Sequence, residues 1–113
     1  MQSVQQGRKR LTNRFFPEGI PELWCPMIVH YDREGRIDTA RMEAHLKDLC
    51  SSVHCFLLFG STGDGWELRD TEKLELLSLC IELAAKYHFQ MLLGVLQPEK
   101  GATLAEMQRW IAW

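Results

Sequence analysis

The chain lacks several features that would each have settled its class. No uninterrupted apolar run approaches the ~20 residues that cross a bilayer, and the polar, basic start MQSVQQGRKR makes no secretory signal. Both absences point away from membrane-spanning and exported proteins and towards the cytoplasm. The four cysteines, Cys25, Cys50, Cys55 and Cys80, form no C-x-x-C pair and follow no zinc-ribbon or finger spacing. Cys50, His54 and Cys55 amount to half a ligand set, so no metal site is expected. Cys25, Cys55 and Cys80 lie in apolar segments, where a reduced thiol behaves as a small hydrophobe. Acidic residues are missing from positions 1–16, where Arg8, Lys9, Arg10 and Arg14 give +4. The remainder holds nine basic and fifteen acidic residues, for −6. An acidic body does not suit nucleic acid, whose phosphates need a basic face. The segment 1–16, with no aromatic interleaving or clear amphipathic order, reads as a disordered leader; a targeting or polyanion-binding arm is the other reading of its charge.

What is present suits one small globular domain over residues 17–113. With 46% hydrophobic and 25% charged residues the chain is not a disordered one, and 113 residues suffice to bury about two-thirds of the extended surface. Leu23 to Val29 is a short apolar segment that predicts a strand, with Pro26 suited to its end or a bulge. Asp38 predicts the N-cap of a helix over Thr39–Cys50, with Met42, Leu46, Leu49 and Val53 on its apolar face. The run Cys55–Phe59 is apolar without alternation, as in a strand covered on both faces. A long helix follows from Asp70 or Thr71 to Tyr87, with Glu82 and Lys86 spaced as an i,i+4 pair. Met91–Val95 predicts a third buried strand, and Gly101 or Thr103 opens a third helix carrying Leu104, Met107, Trp110 and Ile111. Strand and helix thus alternate three times, which implies parallel strands joined by right-handed crossovers.

Ligands of such folds bind at the carboxyl ends of the strands. The loop after the second strand, Gly60-Ser61-Thr62-Gly63-Asp64-Gly65, is the segment there with most chemistry. It is neither a Walker loop, since no G-K-[ST] follows, nor G-x-G-x-x-G. Its glycines allow a tight turn, and the amides of Ser61, Thr62 and Gly63 with two hydroxyls fit a small-anion nest for carboxylate or phosphate. A plain βα turn rich in turn formers is the alternative. His30 and Tyr31, at the end of the first strand, read as a turn-lining pair on the same rim. His45 and His88 read as structural, and Asp64 as orienting the loop by accepting backbone amides. Trp66, Trp110 and Trp113 offer large apolar area for neighbours.

From Glu18 to Trp113 the chain resembles the N-terminal part of the dihydrodipicolinate synthase and N-acetylneuraminate lyase family. The supporting pieces follow the family's order. They are Gly19-Ile20-Pro21-Glu22-Leu23 before Cys25-Pro26, Glu34-Gly35-Arg36-Ile37-Asp38, the Gly60–Asp64 loop, Leu68–Glu72, and Leu93-Gly94-Val95 ahead of Thr103-x-x-Glu106. The resemblance implies the first three βα units of a (β/α)8 TIM barrel and a class I aldolase that holds pyruvate or another 2-oxo acid as a Schiff base on lysine. It calls for no separate cofactor. It also implies that Gly60, Ser61, Thr62 and Gly63 hold the substrate carboxylate, and that Thr62 joins a proton relay with a tyrosine.

The sequence departs from the family at Cys25 (usually threonine), Ser52 (usually glycine) and Asp64 (usually glutamate). The Schiff-base lysine and relay tyrosine belong to later strands. Lys9, Lys47, Lys73, Lys86 and Lys100 occupy no such position, the helical ones reading as exposed and protonated, and Tyr31 and Tyr87 match no relay tyrosine. A whole barrel needs ~250 residues, so the chain reads as a truncated, catalytically silent piece of a 2-oxo-acid-dependent lyase. The alternative is a non-catalytic, self-associating α/β module that keeps a small-anion pocket. Either way its partners would be a pyruvate-like acid and copies of itself joined through open barrel edges, not nucleic acid or membrane.

Overall fold

In a computed structural model, which describes residues 3–112, a parallel three-stranded sheet in the order β1-β2-β3 carries helices between its strands. The elements are α1 (Val4–Phe15), β1 (Cys25–Pro26), α2 (Thr39–Leu49), β2 (Cys55–Leu58), α3 (Asp70–Tyr87), β3 (Gln90–Leu93) and α4 (Lys100–Ala112). This is the βα succession expected of part of a (β/α)8 barrel. Register pairs Cys25 with Phe56 and Pro26 with Leu57, and then Cys55–Leu58 with Gln90–Leu93.

Each strand is shorter than its apolar run. β1 keeps two residues because Pro26 has no N–H to give and sits on an edge strand, where none is required. The next amide, of Met27, still donates to the Leu57 carbonyl at 2.9 Å. Phe59 leaves β2 in the left-handed region at φ 60°, and β3 runs from Gln90 to Leu93 instead of Met91 to Val95. The Gly94 amide makes one last bond to the Leu58 carbonyl, at 2.7 Å.

α2 starts as its cap residue dictates, with the Asp38 carboxylate accepting the Arg41 amide. α3 runs its full expected length and stops at His88, which takes the left-handed conformation at φ 58°. Met42 and Leu46 of α2 and Leu76, Leu77, Cys80 and Leu83 of α3 close over Phe56 and Leu58 of the sheet and over Met27, the residue after β1. Phe56 meets Phe89 edge to face at 5.0 Å between centroids, and Cys80 lies 3.5 Å from the Met27 sulfur. Burial pushes the Cys80 thiol up to about 12, so it stays protonated as a core side chain. The opposite face of the sheet carries Pro26, Leu57 and Leu92, of which Pro26 and Leu92 are exposed.

Three expectations are corrected. Residues 4–15 of the expected disordered leader form α1. Ser3 and Gln6 cap it reciprocally, the Gln6 amide donating to the Ser3 hydroxyl and the Ser3 amide to the Gln6 side chain. α1 buries none of its residues, and the radius of gyration is 15.5 Å where a compact chain of this length has about 13 Å. Lys86 does not pair with Glu82; it reaches Glu43 of α2 at 2.6 Å, and the Tyr87 hydroxyl donates to the same carboxylate at 2.8 Å. Lys73 is buried, not exposed. Trp113, and positions 1 and 2 of the leader, lie outside the described residues.

Candidate functional site

The loop of residues 60–65 leaves the carboxyl end of β2 and packs back on the strand ends. The Gly60 carbonyl accepts from the amides of both Gly63 (3.1 Å) and Gly65 (2.9 Å), winding the loop around one oxygen. The glycines serve this packing more than they serve unusual dihedrals. A Cβ on Gly63 would collide with the Met27 carbonyl, one on Gly65 with the Phe59 carbonyl, and one on Gly94 with that same Phe59 oxygen. The left-handed positions are taken by Phe59 and Asp64 instead. Leu68, buried at the end of the segment, anchors it to the core.

This winding divides the loop's donors. The Gly63 amide, expected in the anion nest, is spent on Gly60. Ser61 and Thr62 stand exposed at the crest, and among the described residues their amides donate to no backbone carbonyl. Two amides and two hydroxyls on adjacent residues at the carboxyl end of a parallel sheet can hold one oxyanion.

Asp64 braces the rim with both its side chain and its backbone. Its carboxylate accepts the Tyr31 hydroxyl at 2.7 Å, while its carbonyl takes the amides of Glu67 and Leu68. Burial first, and then the bond to the Asp64 carboxylate, hold the Tyr31 phenol far above its usual range, so it remains a donor. His30, beside it, has a partner too. Its Nε2 lies 3.0 Å from Nδ1 of His45 on α2, with the rings edge to face, and its amide contacts the Met42 sulfur. His30 and Tyr31 thus do line a turn, closed by a Tyr31–Ile37 bridge, and each is fixed by a residue far away in sequence. His88 is an exposed helix terminus.

Next to this loop lies a buried ion pair that the sequence reading missed. Lys73 Nζ donates to Glu106 Oε1 at 2.7 Å, with the two side chains 3% and 2% exposed. Gln97, in the loop after β3, donates to Glu106 Oε2 at 2.9 Å, and the Trp110 indole donates to Oε1 at 3.3 Å. Burial pushes the Glu106 carboxyl up, but the bonds from Lys73 and Gln97 outweigh it and hold the group below its ordinary range. Arg109 closes the outside of the cluster with two bonds to Asp70, at 3.0 and 3.1 Å. Trp110 stacks on Phe59 at 5.9 Å, joining α4 to the residue that opens the glycine loop. Trp66 stays exposed over a cleft of about 630 Å³ that it shares with Arg69, Lys73 and Gln97. Among the described residues no three His, Cys, Asp or Glu side chains gather as a metal set, and no helix is long and apolar enough to cross a membrane.

No family profile matches the chain. It is 29% identical over 91 residues to a 2-dehydro-3-deoxy-phosphogluconate/2-dehydro-3-deoxy-6-phosphogalactonate aldolase of Saccharolobus solfataricus, covering 80% of this chain and 30% of that one. An aldolase of the same description from strain P2 of that organism is 28% identical over 99 residues. Among solved structures, a Pseudomonas aeruginosa protein assigned as a dihydrodipicolinate synthetase superposes with a TM-score of 0.72 at 21% identity, over 83% of this chain and 32% of its own. Dihydrodipicolinate synthase DapA-2 of Bacillus anthracis superposes at 0.71 and 19% identity, over 79% and 30%. These likenesses bear out the family resemblance read from the motifs and show the fold as part of that family's barrel. The chain spans about a third of the length of the proteins it matches.

Proposed function

We propose that this chain is the part of a 2-oxo-acid-dependent aldolase or synthase that grips the substrate carboxylate. The observation that carries the reading is the division of donors in the loop: Gly63 and Gly65 are tied to Gly60, while Ser61 and Thr62 keep their amides at an exposed crest. The names borne by the aldolase and synthase relatives support it. In such a reaction the carboxylate is held by Ser61 and Thr62, and the adjacent carbonyl carbon is oriented for attack by an amine. Gly60 and Gly63 shape the cradle. The Thr62 hydroxyl passes a proton to or from a tyrosine, and Asp64, fixed by Tyr31, keeps the crest in place.

The amine does not come from this segment. Lys73 is paired and buried with Glu106, and Lys86 is paired with Glu43. An ammonium held by a carboxylate is protonated and cannot attack a carbonyl. Our reading therefore assigns binding to this chain and the Schiff-base step to a lysine on strands further along the barrel. Pyruvate and borohydride supply the test. The 113-residue chain should give no reduced lysine adduct by intact mass, while Ser61→Ala with Thr62→Val should weaken its pyruvate binding about tenfold or more, as loss of charge-assisted bonds predicts. A reduced adduct on any of the five lysines, or binding indifferent to both substitutions, contradicts the proposal.

The bare sheet face bearing Pro26 and Leu92 favours a second reading, a module that self-associates and keeps the anion site without catalysis. A discrete soluble oligomer with pyruvate affinity would mark that module.

A further inference from the structure

We propose that α1 is an interchain docking helix, whose apolar stripe seats on the exposed outer face of α3 in a second copy of this chain. This inference concerns the outside of the fold and is independent of the reading of the glycine loop. A helix of twelve residues is marginal by itself in water, yet α1 is formed, capped and without a single buried side chain. Its apolar residues fall in one line. At about 100° per residue, Val4, Leu11 and Phe15 lie within a narrow arc, and they are 75%, 54% and 64% exposed. Arg8 borders this line on one side and Arg14 on the other, with Lys9 and Arg10 behind and no acid anywhere on the helix.

α3 carries the matching surface. Leu74, Ile81 and Ala85 are exposed on its outer side and repeat the i, i+7, i+11 spacing of Val4, Leu11 and Phe15. Read in the same direction, Val4 meets Leu74, Leu11 meets Ile81, and the large Phe15 ring meets the small Ala85. Glu75 and Glu82, both exposed, run along one flank of that stripe, opposite in sign to the basic flank of α1. The charge balance of the whole chain follows the same division, with +4 in residues 1–16 and −6 in the rest. An anionic bilayer also attracts a basic helix, but it repels the acidic body to which this helix is joined. The same body attracts α1 of another copy.

Within its own chain α1 gives no side chain to the core. The turn that follows is folded on itself, with the Phe16 ring edge-on to Trp24 at 6.1 Å and the Trp24 indole donating to the Pro21 carbonyl at 2.9 Å. That turn places the end of α1 beside Gln90–Leu92.

The test is photo-crosslinking of the full chain with p-benzoylphenylalanine at Leu11, in an equal mixture of ¹⁴N- and ¹⁵N-labelled protein. Crosslinks are expected on the α3 peptide around Ile81, about half of them of mixed isotope, as random pairing between two copies gives. Glu75→Lys with Glu82→Lys should lower their yield about fivefold, the worth of two exposed ion pairs. Arg10→Glu with Arg14→Glu on the crosslinking copy should restore it. Circular dichroism of each variant checks that the helices persist. Crosslinks of single isotope alone, crosslinks on the bare sheet face, a yield indifferent to charge reversal, or loss of the crosslink to phosphatidylserine vesicles would each overturn the proposal.

Discussion

Two loops meet beside the candidate site, and they are held by different physics. The loop after β2 is fixed by backbone: one carbonyl, of Gly60, accepts two amides, and glycines let the chain lie against the carbonyls of Met27 and Phe59. The loop after β3 is fixed by charge. Gln97 reaches the carboxylate of Glu106, which is itself buried on Lys73 of α3. The first device is steric and indifferent to pH and salt. The second depends on one proton and on two helices staying in register. The crest proposed to bind an anion thus sits on the loop held by backbone, and the electrostatic seam locks α4, through Trp110 and Phe59, to the strand end from which that loop springs.

The sharpest way to break this contrast is to leave one charge of the seam alone. Lys73→Met should destabilise the chain by about 3–5 kcal/mol, because it strands a buried carboxylate. Adding Glu106→Leu should recover most of that loss, since a packed apolar pair replaces the ionic one without a desolvation cost. Denaturant titration of the single and double variants measures both. On the steric side, Gly65→Ala should cost about 3 kcal/mol and no second-site charge change should relieve it, as the new methyl meets the Phe59 carbonyl.

A smaller effect is expected at the brace between loops. Tyr31→Phe removes the donor to Asp64 and should cost about 1.5–3 kcal/mol by thermal or denaturant unfolding, the range for a bond to a charged group. It should also weaken pyruvate binding without abolishing it.

The pH dependence is the mildest discriminator. Glu106 is held below its ordinary range when folded, so its contribution is present above the unfolded carboxylate range and is lost as pH falls through the lower, folded value. Glu106→Gln should therefore flatten the acid limb of the stability profile, and Gly65→Ala should leave its shape unchanged.

How much of this was legible in the sequence follows the range of each interaction. Asp38 caps α2 and Met42 and Leu46 bury it, as local spacing required. The apolar run from Cys55 and the glycine loop after it are likewise local signals. Lys73 and Glu106 also left a trace. Lys73 stands in line with Leu76, Leu77 and Cys80, and Glu106 with Thr103, Met107 and Trp110. A charge inside each of two apolar stripes, opposite in sign, is the mark of a buried pair. The cap of α1 was written as Ser3-x-x-Gln6, which the net charge of the segment obscured. Nothing local connects Tyr31 to Asp64 across 33 positions or His30 to His45 across 15. Those contacts exist only once β1, α2 and the glycine loop have assembled.

The most direct test of the central claim is a ¹H–¹⁵N titration of the 113-residue chain with pyruvate. The account predicts that the amides of Ser61 and Thr62 shift first and furthest, with Gly63 and Gly65 nearly still because their protons are already bonded to Gly60. Shifts centred elsewhere, or none at millimolar pyruvate, would contradict it.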